Sequence, residues 1–145
     1  MLILPYQVMS QAPYFEDPRR AVPPNAKFPT LLSDASRLVV LYQEVRGEGD
    51  DRRLYLLGRS SEAGRTFSEP FEIAGPIDVR TETIPVVYTA VVKENGEIFV
   101  ALVSSPQSTE IYRAAPGSSS FSRVAEIETV VTNVAPRIFE TSSGS

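Results

Sequence analysis

The chain has 145 residues, 42% of them hydrophobic, with a net charge of -4, no cysteine and no histidine. That length and composition suit one compact globular region, and the acidic balance argues against a phosphate-binding surface and a nucleic-acid partner. The missing residue types exclude Ser-His-Asp and Cys-His catalysis, disulfides and His- or thiolate-based metal sites, and no cofactor or metal is expected. Carboxylate, tyrosine, lysine and arginine chemistry remains, the repertoire from which glycoside-processing sites are built.

The first residues, Met1 to Met9, are apolar but lack a basic region and are interrupted by Pro5, so a full signal peptide is not expected and Leu2 to Met9 reads as a β-strand. Ser10-Gln11-Ala12 is compatible with the remnant of a small-residue cleavage site, which tilts the expected location towards a secreted or periplasmic one. No apolar run approaches the roughly 18 residues that span a bilayer. Pro13, Pro18, Pro23 and Pro24 make 12–27 an extended, proline-rich connection.

From there the strand pattern repeats, with no helical periodicity free of proline or glycine. A first unit, 28–75, begins with Phe28 to Leu32 and turns at Ser33-Asp34-Ala35-Ser36. It continues as Arg37 to Val45, then Leu54 to Leu57, then Pro70 to Ile73. A second unit, 84–129, begins with Ile84 to Tyr88 and turns at Glu94-Asn95-Gly96, where Asn-Gly suits positive φ at both central positions. Ile98 to Val103, Ile111 to Arg113 and Ser122 to Ile127 complete it, and 135–145 opens a third unit. Pro29, Pro85 and Pro136 recur at intervals of 56 and 51 residues, the spacing of four-stranded propeller blades. The fold class expected is therefore all-β: a β-propeller segment of four-stranded antiparallel blades, two complete units with partial strands at both ends. As a fragment it would expose strand edges and self-associate. A small β-sandwich is the competing architecture.

The turn after the third strand reads Ser60-Ser61-Glu62-Ala63-Gly64-Arg65-Thr66-Phe67. It resembles the Asp box, or BNR repeat, of the sialidase superfamily, Ser-x-Asp-x-Gly-x-Thr-Trp, with Ser60, Gly64 and Thr66 matching, Glu62 in place of aspartate and Phe67 in place of tryptophan. These five residues read as structural. Glycine supplies a left-handed turn conformation, hydroxyls and carboxylate satisfy turn amides, and the aromatic ring fills the space between blades. Residues 114–121 are a degenerate copy that keeps the aromatic, Phe121.

The resemblance implies that Asp boxes lie opposite the ligand face, which would be built from the loops joining second to third strands and one blade to the next. Such a site binds a sugar carboxylate through arginines and uses an aspartate acid/base with a tyrosine-glutamate pair. On that implication the catalytic candidates are Asp50, Asp78 and Glu82, and the ligand-binding candidates are Arg19, Arg80 and Arg137. Guanidinium groups suit a carboxylate because they donate paired hydrogen bonds. The family's Phe/Tyr-Arg-Ile-Pro segment is replaced here by Ala135-Pro136-Arg137-Ile138-Phe139. Two functions follow as expectations: a binding propeller for a carbohydrate or protein ligand, or part of a sialidase-like glycoside hydrolase whose catalytic residues lie mostly elsewhere.

Overall fold

The computed structural model describes residues 21–34, 36–62, 66–78 and 87–128. They form eight strands and one 3-10 turn, Gly49–Asp51: β1 (Lys27–Ser33), β2 (Leu38–Arg46), β3 (Arg53–Ser61), β4 (Phe71–Asp78), β5 (Tyr88–Val92), β6 (Ile98–Ser105), β7 (Ser108–Ala114) and β8 (Phe121–Glu128). The all-β expectation holds. β1 to β4 form one four-stranded sheet and β5 to β8 a second, each in simple sequence order and each antiparallel throughout. Neither sheet closes on itself.

The sheets pack face to face, with β1 against β5 and β4 against β8. Alternation along each strand decides which side chains meet there. Val39 and Leu41 of β2, Leu54 and Leu56 of β3, and Ile73, Ala74 and Ile77 of β4 share one cluster with Ile98, Val100 and Leu102 of β6 and Ala114 of β7. Their out-of-phase neighbours Val40, Tyr42 and Leu57 are buried as well, so β2 and β3 are covered on both faces. That explains why Val39 to Tyr42 reads as an unbroken apolar run rather than an alternating one. Tyr42 is fully buried, its hydroxyl has no hydrogen-bond partner among the described residues, and burial pushes the phenol above its ordinary range.

Phe71 and Phe121 open the last strand of each sheet, and their rings stack across the interface with centroids 6.1 Å apart. Both rings open a fourth strand, but their rows differ: Phe71 faces Gly58, three residues before the end of β3, whereas Phe121 faces Ala114, the last residue of β7. Polar links join the sheets too. The Tyr88 hydroxyl of β5 bonds to the Phe28 and Leu41 carbonyls and lies 2.9 Å from Thr30 Oγ1.

Two local expectations are corrected. The 94–96 turn does not place both central residues at positive φ: Gly96 alone does so, at 89°. Gly96 N donates to Lys93 O and Lys93 N to Glu97 O, a longer loop in which Asn95 instead uses its side chain, accepting from Glu97 N at 3.0 Å. The strand before it runs Tyr88–Val92, later than Ile84 to Tyr88, because it abuts the hairpin directly; residues 84–86 lie outside the described residues. The first-strand reading at Leu2 to Met9 and the third unit, 135–145, also lie outside them.

Candidate functional site

Four turns meet at one end of the stacked sheets, and three of them enclose a cleft of about 370 Å³. Ser33, Asp34 and Ser36 come from the β1–β2 turn, Lys93 and Asn95 from the β5–β6 hairpin and Pro116 from the β7–β8 loop. The fourth turn at this end, between β3 and β4, is the one that resembles an Asp box.

Asp34 organises the first wall. Its Oδ1 accepts from the Ser36 amide, the Ser36 hydroxyl and the Arg37 amide, each at 2.8 Å. Its Oδ2 meets Arg37 Nε at 3.2 Å, and both side chains are almost fully buried. Burial acts to raise this carboxyl, but the bonds from Ser36 and Arg37 outweigh it and hold Asp34 below its ordinary value. Arg37 then reaches the other sheet, donating from Nη2 to Ser118 O at 2.6 Å and from Nη1 to Ser119 Oγ at 3.4 Å. One buried ion pair thus fixes the distance between two walls of the cleft.

The hairpin wall is ordered in a similar way. Asn95 Nδ2 donates to Glu97 Oε1 at 2.7 Å, Arg113 forms a short ion pair with Glu97 Oε2, and Lys93 Nζ lies 4.0 Å from Glu97 Oε1. The Asn95 bond, followed by Arg113, holds the Glu97 carboxyl low. The Asp34 and Glu97 charges are paired within the fold and Glu94 adds a carboxylate to the lining, so the cleft presents preset donors and acceptors, the arrangement of a binding surface for a polar ligand without negative charge. Among the described residues no group of three or more acidic, His or Cys side chains is placed to hold a metal ion. No helix among them is long and apolar enough to cross a membrane.

The residues singled out from sequence fall elsewhere. Asp50 is exposed in the 3-10 turn between β2 and β3, at the opposite end of the first sheet, and its carbonyl accepts from Arg53 Nη1 at 3.2 Å. Asp78, exposed at the end of β4, sits across from Arg53 in the ladder, so Asp50 and Asp78 share that end. Glu82, Arg19, Arg80 and Arg137 lie outside the described residues, as does Gly64.

The Asp-box-like turn is closed at its neck by Ser68. Ser68 N donates to Ser60 O at 2.8 Å, and Ser60 N donates to Ser68 Oγ at 3.1 Å. Ser60 belongs to β3, Glu62 and Thr66 are exposed, and Phe67 is half-buried. Phe71, four residues further on, lies between the sheets, stacked on Phe121.

A second cluster went unread in the sequence. On β7 and β8, Tyr112 Oη donates to Glu110 Oε2 at 3.0 Å, and Arg123 Nη1 donates to Glu110 Oε1 at 2.8 Å. Burial, then the Glu110 carboxylate, pushes the Tyr112 phenol up to about 12, which makes it a hydrogen-bond donor rather than a nucleophile near neutral pH. The signal for Asp34 was present: an aspartate two residues before a serine in a short turn is the pattern of a side chain bonding its own backbone. The Tyr112–Glu110–Arg123 grouping depends on strand register and left no local signal. Compared with known protein families, curated proteins and solved structures, the chain matches none.

Proposed function

We propose that the two sheets are successive blades of a propeller-type repeat and that the protein binds a glycan rather than hydrolysing one, with the cleft at the turn end as the binding site. The observation that carries the blade reading is the consecutive strand order of both sheets, joined by the stacking of Phe71 on Phe121, each the first residue of its sheet's fourth strand. A β-sandwich also has two facing layers, but its strands usually pass between the layers in a Greek key. Here each sheet is finished before the next begins. The Asp-box-like turn supports the blade reading, since it joins the third and fourth strands, but it lies at the same end as the cleft, so placing the ligand there departs from the resemblance, which would put it at the opposite end.

Binding is favoured over catalysis by Asp34, which lines the cleft, and Glu97, which anchors its hairpin wall: both are held ionised by their partners, and neither has the raised carboxyl that a general acid needs. Hydroxyls and amides on a rigid frame suit a neutral sugar, which offers hydroxyls rather than charge.

The test is calorimetric titration of the full chain with neutral and sialylated oligosaccharides, alongside a fluorogenic sialoside assay. Binding that falls at least tenfold in a Lys93→Ala, Asn95→Ala double variant and is unchanged in Asp78→Ala supports the cleft. The reverse pattern moves the site to the opposite end of the sheets. Turnover of the sialoside, abolished by Arg80→Ala, replaces the binding reading with the hydrolase.

A further inference from the structure

β8 is the outermost strand of its sheet, and among the described residues no strand pairs with its free edge. Every residue from Ser122 to Glu128 is exposed, whereas β4, the corresponding edge of the other sheet, buries Ile73, Ala74 and Ile77. An open edge presents unpaired backbone donors and acceptors to any strand that can align with it. Val124 and Ile127 stand about half exposed on it, at 50% and 51%.

The register of β8 determines which strand fits. Arg123 pairs with Tyr112 and Ala125 with Ile111, so Val124 is an extra, bulged residue. The bulge reverses the phase: Arg123 and Glu126, three apart, share a face because their partners Tyr112 and Glu110 are two apart. Arg123 Nη1 accordingly lies 3.5 Å from Glu126 Oε2. Ser122 and Ile127 share the other face, opposite Arg113 and Thr109.

We infer that β8 is a self-association edge, on which β8 of a second copy of this chain pairs antiparallel about a two-fold axis between Val124 and Ala125. In that register Arg123 of each copy faces Glu126 of the other, on the same side of the joined sheet. Ser122 faces Ile127 on the opposite side. Opposite charges meet twice, while any register that sets Arg123 or Glu126 against its own copy opposes like charges. Bulges and charges also serve to blunt edges; here their order is self-complementary, which selects this one partner. The inference rests on the strand register alone and does not depend on the blade reading.

The experiment is sedimentation velocity of the full chain over a concentration series, with Arg123→Glu and Glu126→Arg variants alone and mixed. The parent is expected to dimerise, and each variant alone to be monomeric at concentrations where the parent is a dimer. Their equimolar mixture is expected to restore a dimer, because one copy then presents two carboxylates and the other two guanidinium groups, so opposite charges again meet at both facing positions. Circular dichroism checks that each variant keeps its strand content. Should a charge variant fail to fold, Ile127→Lys, outside the Arg123–Glu110 cluster, is expected to weaken the dimer at least tenfold. A parent that stays monomeric throughout, or a dimer indifferent to all three substitutions, overturns the inference.

Discussion

Gly58 is the position where one hydrogen atom decides the packing between the sheets. A Cβ there would come closer than 3.0 Å to Cε2 and Cζ of Phe71, the ring that faces it across β3 and β4. The ring cannot swing away without leaving Phe121, on which it stacks at 13° between planes. Alanine ordinarily costs a strand less than glycine does, since glycine gives up more backbone freedom on folding. At this site overpacking wins, and Gly58→Ala is expected to destabilise the fold by about 1–3 kcal/mol, read as a lower denaturation midpoint in urea. An unchanged midpoint would mean that the ring has room to retreat. None of this was legible from Phe67, which the motif pattern singled out as the ring between blades. β3 continues through Ser61, and Phe71, which opens β4, is the residue that stacks on Phe121. Strand length, set by pairing with β2 as far as Leu38, decided the outcome, and local sequence does not encode it.

At the scale of turns and strands the sequence was informative wherever a turn residue met an alternating run. It located β2, β3, β6 and β8 to within a few residues, because their apolar runs are bounded by polar turns. It misjudged the 93–97 hairpin because Asn95 satisfies the loop through its side chain and so has no need of positive φ. The Ser33–Arg37 turn makes a pH prediction. Asp34 has a lowered carboxyl, so the unfolded chain takes up the proton first as pH falls, and the stabilisation is complete above the ordinary value of 3.8. It is lost as the pH drops through the folded value, below 3.8. Protonation would also leave the Arg37 guanidinium buried against Ser118 and Ser119 without its counter-charge. Asp34→Asn is therefore expected to lower stability at neutral pH by about 3 kcal/mol and to flatten the acid limb of a stability profile measured from pH 7 to 2. An acid limb as steep as the parent's would assign the acid sensitivity to other carboxylates.

The whole molecule is two sheets sharing one core, and the contacts that hold them are spread along its length: Tyr88 near β1 and β2, Arg37 at the turn end, and the Phe71–Phe121 pair beside β4 and β8. The two sheets have equal strand number and order, in keeping with the strand count read from the sequence, while Pro85 and Pro136, which set the proline spacing, lie outside the described residues. What the strand pattern could not reveal is how strongly one sheet depends on the other, because that follows from cross-sheet contacts with no periodic signature. The apolar residues of β2 and β3 that face the second sheet, Val39, Leu41, Leu54 and Leu56, would be left in water if β5 to β8 came away. Removing several such side chains from their cover costs about 1.5–3 kcal/mol each, comparable in sum to the whole stability of a small domain. The first sheet is thus expected to have no independent folded state, and the two to unfold as one unit. Phe121→Ala, a change confined to the second sheet, separates the alternatives by hydrogen exchange. If the sheets form one cooperative unit, the slowest-exchanging amides of β2 and β3 lose the same protection as those of β6 and β7, by about 3 kcal/mol. If β6 and β7 lose protection while Leu41 and Leu56 keep theirs, the sheets are separable units that merely touch, and the shared core contributes much less than its burial implies.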